Sequence, residues 1–98
     1  MPLFSFICTD KPNSLELRMA TRPPHVEHLT ALNDKGILKM AGPFLDADGK
    51  PNGSLVIVET ATIEEARALA DADPYAKAGL FEKVEVKPFN WVFNPPKA

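Results

Sequence analysis

The sequence contains few of the residues from which disulfides and metal sites are built. Its 98 residues include one cysteine, Cys8, and two histidines. A single cysteine cannot form a disulfide within the chain, and these residues cannot complete the usual nitrogen and sulfur ligand set of a zinc site. A lone cysteine is also typical of proteins in a reducing compartment. We therefore expect a cytoplasmic protein that binds no metal.

Glycine-rich loops, long apolar runs and an excess of positive charge are absent as well. No GxGxxG, Walker-type or GxSxG motif occurs, so we expect no cofactor. No apolar run approaches the roughly 20 residues of a membrane span, and the N-terminal segment has no basic leader, which predicts neither a membrane helix nor a signal peptide. Eleven basic residues against 13 acidic ones give a net charge of −2. This balance argues against a nucleic-acid partner, because binding phosphates requires clustered basic residues.

The remaining composition is that of a small globular domain. Apolar residues make up 45% of the chain and charged residues 24%, which argues against disorder. A chain of this length builds one core, and no linker or repeat divides it. We therefore expect a single domain over residues 1–98.

The first helix is predicted from a capping pair and two prolines. Asn13 and Glu16 have the spacing of a capping pair, and good helix formers follow. Residues 23–24 are both proline, which breaks hydrogen bonds inside a helix but is tolerated in a first turn. We therefore expect a kink or a restart at Thr21 and a helix over about 22–35.

Four strands and a second helix complete the pattern. Alternating or continuous apolar residues predict strands over 2–8, 37–41, 54–59 and 81–93, and the capping box at Thr62 opens a helix that runs to about Ala72. Pro88 should mark an edge strand or a bulge. The order βαββαβ is that of a ferredoxin-like α+β fold, with two helices on one face of an antiparallel sheet.

The aromatic content predicts that the other face of the sheet is covered. Phe4, Phe6, Phe89, Trp91 and Phe93 offer more aromatic surface than one pair of helices can hide. A second copy of the chain could cover this surface if the two sheets stack into a barrel. We therefore expect a homodimer.

One of the two histidines is predicted to point inward. Val26, Leu29 and Leu32 define the apolar centre of the helix, and His25 lies about 40° from it whereas His28 lies about 100° away. His25 is then either a hydrogen-bonded core residue or a catalytic or binding group. Its expected place near the start of the helix favours the neutral imidazole, which can act as a base.

Asp73 also has two interpretations. It precedes Pro74, which keeps its backbone out of the helical region, so its carboxylate can cap the next turn. The same carboxylate could instead orient and stabilise an imidazole, as in other pairs of a base and an orienting group. Spacing alone does not bring Asp73 and His25 together.

A few further residues could line a binding pocket. Arg18 and Arg22 either bind an anionic oxygen or are solvated, and Pro43 lies in a segment that suits either close ligand approach or a plain turn. Tyr75 either packs or donates a hydrogen bond, and Cys8 fits an inert buried thiol better than a nucleophile.

Several segments together resemble the YciI-like (YCII-related) protein family. They cover nearly the whole chain without a large insertion and comprise residues 13–29, 36–43, 53–58, 70–81 and 84–89. The resemblance implies a dimeric α+β barrel of ferredoxin-like subunits, related to muconolactone isomerases. One departure is Pro24, where the family often carries alanine or another small residue.

The resemblance also implies an active site. The family's histidine falls on His25 and its aspartate on Asp73, and one family member is similar to a dehydrochlorinase that acts on a chlorinated hydroxyhydroquinone. We therefore expect acid–base chemistry without metal or cofactor, an isomerisation or an elimination, on a small cyclic or aromatic metabolite. Arg22, Pro43 and Tyr75 would form the pocket wall. The alternative is a dimeric module that binds a small ligand without turnover.

Overall fold

The computed structural model describes residues 2–95, which form four strands and three helices. In chain order these are β1 (Leu3–Asp10), α1 (Leu15–Asp34), β2 (Leu38–Leu45), β3 (Pro51–Glu59), α2 (Ile63–Ala72), α3 (Pro74–Lys77) and β4 (Phe81–Phe89). The predicted βαββαβ order is confirmed, with the short α3 inserted before the last strand. None of the helices in this part of the chain is both long and apolar enough to cross a membrane.

The sheet is antiparallel in the order β2-β3-β1-β4, which places β3 and β1 in the interior. Because side chains alternate across a strand, every second residue faces the helices. Phe4 and Phe6 of β1 and Val56 and Val58 of β3 do so and form the centre of the core. The two phenylalanines are therefore already covered by the helices. Our expectation that they belong to an uncovered aromatic surface was wrong.

The strands differ in length from the prediction, for reasons of pairing rather than composition. The β2–β3 hairpin continues through residues 51–53, which lie outside the predicted strands, because their backbone pairs with β2 whatever their side chains. The tight connection is closed by Asp46, whose Oδ1 accepts hydrogen bonds from the backbone of Asp48 and Lys50. β4 ends at Phe89 rather than at residue 93 because its partner β1 begins opposite, at Leu3.

Helix α1 runs without interruption through both prolines, so the predicted restart at Thr21 was wrong. Pro23 and Pro24 have no N–H to donate to the carbonyls of residues 19 and 20. All four residues are exposed, so water can donate hydrogen bonds to these carbonyls instead. The predicted capping pair is also absent: Asn13 has a left-handed φ of 58°, and no side chain caps the helix.

The predictions for Thr62 and Pro88 are confirmed. The hydroxyl of Thr62 accepts a hydrogen bond from the backbone of Glu65 at 3.2 Å and starts α2. Gly36 follows α1 with a φ of +75°, a left-handed conformation that glycine adopts without strain. Pro88 lies on the outer strand β4, opposite Phe4, where a missing N–H does not interrupt the interior of the sheet.

Candidate active site

A cavity of about 340 Å³ lies between α1 and the β2–β3 side of the sheet. His25 and Arg22 of α1, Pro43 of β2 and Tyr75 of α3 all border it, so the structure brings together every residue predicted for the pocket wall. Asp73, at the start of α3, is hydrogen-bonded to Nδ1 of His25. The segment around Pro43, for which a plain turn was one interpretation, is part of β2.

His25 and Asp73 form a buried hydrogen-bonded pair, with each side chain about 10% exposed. The Nδ1 atom of His25 lies 2.8 Å from Oδ1 and 3.1 Å from Oδ2 of Asp73. Since an ionised carboxylate can only accept, Nδ1 carries the hydrogen and Nε2 of the neutral ring is the acceptor. No described residue is hydrogen-bonded to Nε2. Every fully buried polar side-chain atom of residues 2–95 has a hydrogen-bond partner, so Nε2, which has none, is not fully buried. Nε2 is therefore left accessible to a ligand.

His25 lies in the middle of α1, not near its start, because the helix begins at Leu15. The helix dipole is felt mainly within the first and last turns, so the expected effect of the N-terminus on the imidazole does not apply. The carboxylate of Asp73 is instead the group that orients the ring.

Both interpretations of Asp73 hold at the same time. Its backbone is extended, with φ −61° and ψ 128°, as expected for a residue that precedes proline. This turns the carboxylate back over the start of α3, where Oδ1 accepts the backbone N–H of Tyr75 at 2.9 Å. The same oxygen receives Nδ1–H of His25. One carboxylate thus caps the helix and orients the imidazole.

Tyr75 forms the centre of an aromatic stack behind the cavity. Its ring is almost parallel to that of His25, with centroids 3.8 Å apart and an angle of 15° between the planes. The edge-on contact with Phe81 has a centroid distance of 6.0 Å, and the guanidinium carbon of Arg18 lies 4.8 Å from the ring centroid. Tyr75 is 1% exposed, and burial raises its pKa.

The structure buries Arg18, with 5% exposure, whereas the two interpretations of the sequence were a solvated side chain and one that binds an anionic oxygen. Its Nη1 donates to both carboxylate oxygens of Asp10, at 3.0 and 2.9 Å, and its Nη2 donates to Oγ of Ser54 at 2.8 Å. The one available signal was its spacing: Arg18 precedes His25 by seven residues, which places both on one face of a helix.

Arg22 remains exposed at the edge of the cavity. No carboxylate of residues 2–95 lies within ion-pair distance of its guanidinium. Its charge is therefore available to an anionic group on a ligand.

Cys8 lies in the core with 4% exposure, and burial raises its pKa to about 12. Because the thiolate is the nucleophilic form, this environment disfavours reaction of Cys8 at neutral pH. The interpretation as an inert buried thiol agrees with this environment.

Known proteins of similar sequence and structure come from bacteria and a fungus. The chain is 44% identical to protein YciI of Escherichia coli O6:H1 over 97 residues, covering 93% of this chain and 99% of that protein. It is 39% identical over 72 residues to the derivative of benzaldehyde biosynthesis cluster protein C of Emericella nidulans, covering 66% and 74% of the two chains.

A solved structure gives the most informative match. The 5-chloro-2-hydroxyhydroquinone dehydrochlorinase TftG of Burkholderia phenoliruptrix AC1100, in complex with 2,5-dihydroxybenzoquinone, superposes with a TM-score of 0.84. It is 29% identical, and the match covers 96% of this chain and 99% of TftG. Residues 3–90 also match the profile of the YCII-related domain. The chain therefore belongs to the YCII-related family.

Proposed function

We propose that the protein is an enzyme that moves a proton on a small cyclic or aromatic metabolite, in an isomerisation or in an elimination such as dehydrochlorination. The observation that carries this proposal is the His25–Asp73 pair at the edge of the cavity. One ring nitrogen is fixed by a carboxylate at 2.8 Å, and the other is left for a ligand. The likeness to a dehydrochlorinase of known structure supports the same class of reaction.

His25 acts as the general acid and base in this proposal. Nε2 of the neutral ring takes a proton from the substrate, and the imidazolium that forms later returns it or loses it to solvent. Asp73 holds the ring in the tautomer that leaves Nε2 free, and its negative charge stabilises the imidazolium. A positioned base of this kind contributes on the order of 10²–10⁴ in rate.

The cavity is suited to a single ring that carries oxygens. Its volume of about 340 Å³ is at the lower end of the usual range for small-molecule sites. Val26, Leu29 and Pro43 provide apolar wall, and Arg22 places a positive charge at the edge. The dihydroxybenzoquinone bound to TftG is a molecule of this type.

The test compares the two histidines of the chain. His25→Asn keeps a nitrogen donor where Nδ1 bonds Asp73 but removes Nε2, and His28→Asn, on the same helix, is the matched control. With 5-chloro-2-hydroxyhydroquinone as the substrate and chloride release as the readout, we expect His25→Asn to lower kcat by on the order of 10²–10⁴ and His28→Asn to leave it unchanged. Thermal unfolding should show that both variants are folded.

Full turnover by His25→Asn would refute the mechanism. Wild-type protein that binds 2,5-dihydroxybenzoquinone, measured by calorimetry, but releases no chloride would refute turnover of this substrate and favour the binding module.

We also propose that two copies pair through the face of the sheet that the helices leave uncovered. Met40, Phe44 and Phe89 lie on this face with exposures of 42, 41 and 39%, and Ile7 and Leu55 between them are half-buried. Stacking two such faces would remove this apolar surface from water. Sedimentation equilibrium at micromolar concentration should give the mass of a dimer, and Met40→Lys should shift it toward the monomer. A monomeric wild type contradicts the proposal.

A further inference from the structure

The backbone that carries Asp73 and Tyr75 is fixed by a proline and by hydrogen bonds. Pro74 alone separates the two residues, and the ring of a proline restricts its φ to a narrow range. The carbonyl of Asp73 accepts the backbone N–H of Lys77 at 3.0 Å, and the carbonyl of Tyr75 accepts that of Leu80 at 3.1 Å. One short turn of chain therefore presents a carboxylate and an aromatic ring in a fixed relation to each other.

The hydrogen bond to Asp73 does not by itself fix the plane of the His25 ring. Nδ1 of His25 lies 2.8 and 3.1 Å from the two carboxylate oxygens, and such oxygens accept hydrogen bonds over a broad range of directions. The terminal torsion of a histidine side chain is also broad, because it joins a tetrahedral carbon to a planar ring. A second contact is needed to hold the imidazole in one orientation.

The ring of Tyr75 supplies this second contact. It is stacked on His25 with centroids 3.8 Å apart and 15° between the planes, which restricts the tilt of the imidazole. Tyr75 is itself 1% exposed, and it contacts Phe81 edge-on at a centroid distance of 6.0 Å. The guanidinium carbon of Arg18 lies 4.8 Å from the centre of the ring. The imidazole is thus packed against an aromatic ring that is held in place by its own neighbours.

We infer that Tyr75 is a positioning residue for His25. The tyrosine ring fixes the plane of the imidazole, Asp73 fixes the direction of Nδ1, and the two together keep Nε2 free for a ligand. The hydroxyl of Tyr75 has no part in this role. The inference rests on the proposed function for its effect on the reaction rate, whereas the positioning itself is measurable without any substrate.

The first test measures the motion of the imidazole directly. Tyr75→Met removes the ring but keeps a long apolar side chain that adapts to the buried space. ¹³C relaxation should show the order parameter of the His25 ring falling from about 0.85, the value of a rigid group, to below about 0.6. His28 is the other histidine of the chain and lies on the same helix, so its unchanged signals serve as the internal control.

The tautomer of the neutral imidazole gives a second readout. The ¹⁵N shifts of His25 should show hydrogen on Nδ1 alone in the wild type and a mixture of both tautomers in Tyr75→Met, because a mobile ring bonds Asp73 for only part of the time. Tyr75→Phe retains the ring and should recover both the single tautomer and the high order parameter.

A destabilised variant separates positioning from stability. Phe81→Leu removes the edge-on contact with Tyr75 and leaves the stack on His25 in place. We expect a lower midpoint of thermal unfolding in this variant, with the order parameter and tautomer of His25 as in the wild type.

The effect on rate follows from the misplaced nitrogen. In the chloride-release assay used for His25, Tyr75→Met should lower kcat by about 10²-fold, the loss typical of a displacement of about 1 Å at a reacting group. Tyr75→Phe should recover most of this loss. The change in KM should be smaller than the change in kcat.

The NMR results decide the inference whether or not the protein turns over this substrate. An unchanged His25 ring in Tyr75→Met refutes it, and so do equal changes in Tyr75→Met and Tyr75→Phe, which would assign the effect to the hydroxyl. Equal changes in Phe81→Leu would assign it to stability. If His25→Asn is fully active while the NMR results are as expected, the proposed function fails and the positioning stands.

The wild type and Tyr75→Phe provide the test if Tyr75→Met does not fold. In both proteins the ring current of residue 75 should move the carbon-bound protons of His25 upfield of those of His28. Absence of this shift shows that the rings are not stacked in solution and overturns the inference.

Discussion

Helix α1 carries two buried hydrogen-bonded pairs, two turns apart, that differ in how many of their side-chain nitrogens are bonded within residues 2–95. The side chains of Arg18 and Asp10 are each 6% exposed, and those of His25 and Asp73 are each 10% exposed. The guanidinium uses both carboxylate oxygens of Asp10 and also holds Ser54. The imidazole uses one of its two nitrogens. Similar burial thus accompanies a pair in which both Nη atoms of Arg18 are bonded and a pair in which one ring nitrogen of His25 is left for a ligand.

On this basis we expect the Arg18 pair to act mainly on stability, and we propose the chemical role for the His25 pair. Arg18 joins α1 to β1 and β3, which fixes the helix on the sheet, and it covers the ring of Tyr75. That ring in turn stacks on His25. The first pair therefore positions the second, and its removal should mainly lower stability.

Breaking the Arg18 pair should have the largest effect on stability. Arg18→Met leaves the carboxyl of Asp10 buried without a counter-charge and removes the donor to Ser54. We expect a loss of about 3–5 kcal/mol in the free energy of unfolding at pH 7, measured by urea denaturation. His25→Asn, in which the other pair keeps its hydrogen bond, should lose much less. Equal losses in the two variants would contradict the distinction between the pairs.

The effect of Arg18→Met should also depend on pH. Burial raises the pKa of Asp10 above its usual value of 3.8, and the hydrogen bond and charge of Arg18 oppose this rise. Without Arg18 the folded-state pKa rises further, so the folded variant binds more protons than its unfolded chain at pH values between the two pKa values. Its stability then falls as pH rises through that window. The deficit relative to wild type should be smallest in acid and complete at neutral pH.

A smaller effect is expected from the strand side of the same pair. A Cβ at Gly53, next to Ser54, would lie 2.5 Å from the backbone oxygen of Cys8, so β1 and β3 would have to separate locally. We expect Gly53→Ala to cost about 1–3 kcal/mol in denaturation experiments. Gly42→Ala is the matched control, because a Cβ there meets nothing within 4 Å. If the two variants are equally stable, the close approach at Gly53 is not a constraint.

The sequence could predict features that depend on local periodicity. The helical period distinguished His25, which is buried, from His28, which is not, and it did so although the start of the helix was misplaced. Capping by Thr62 and by Asp73 was likewise readable, because a cap involves residues only two or three positions apart.

Contacts between distant segments could not be predicted in this way. His25 and Asp73 are 48 residues apart, and their pairing was expected from a family resemblance and not from spacing. Arg18 looked like a solvated residue because its acceptor Ser54 is 36 positions away on a strand. The strand ends depended on partner strands in the same way. Pro23 and Pro24 misled for another reason: the cost of proline in a helix depends on whether the freed carbonyls are exposed.

Pro88 has a consequence for the behaviour of the protein at high concentration. An exposed edge strand normally presents N–H and C=O groups to which another chain can add, a common start of aggregation. β4 is such an edge, and Pro88 near its end has no N–H to offer. Lys83 and Lys87 add exposed charges along the same strand. Pro88 and these charges therefore disfavour strand addition at the end of this edge.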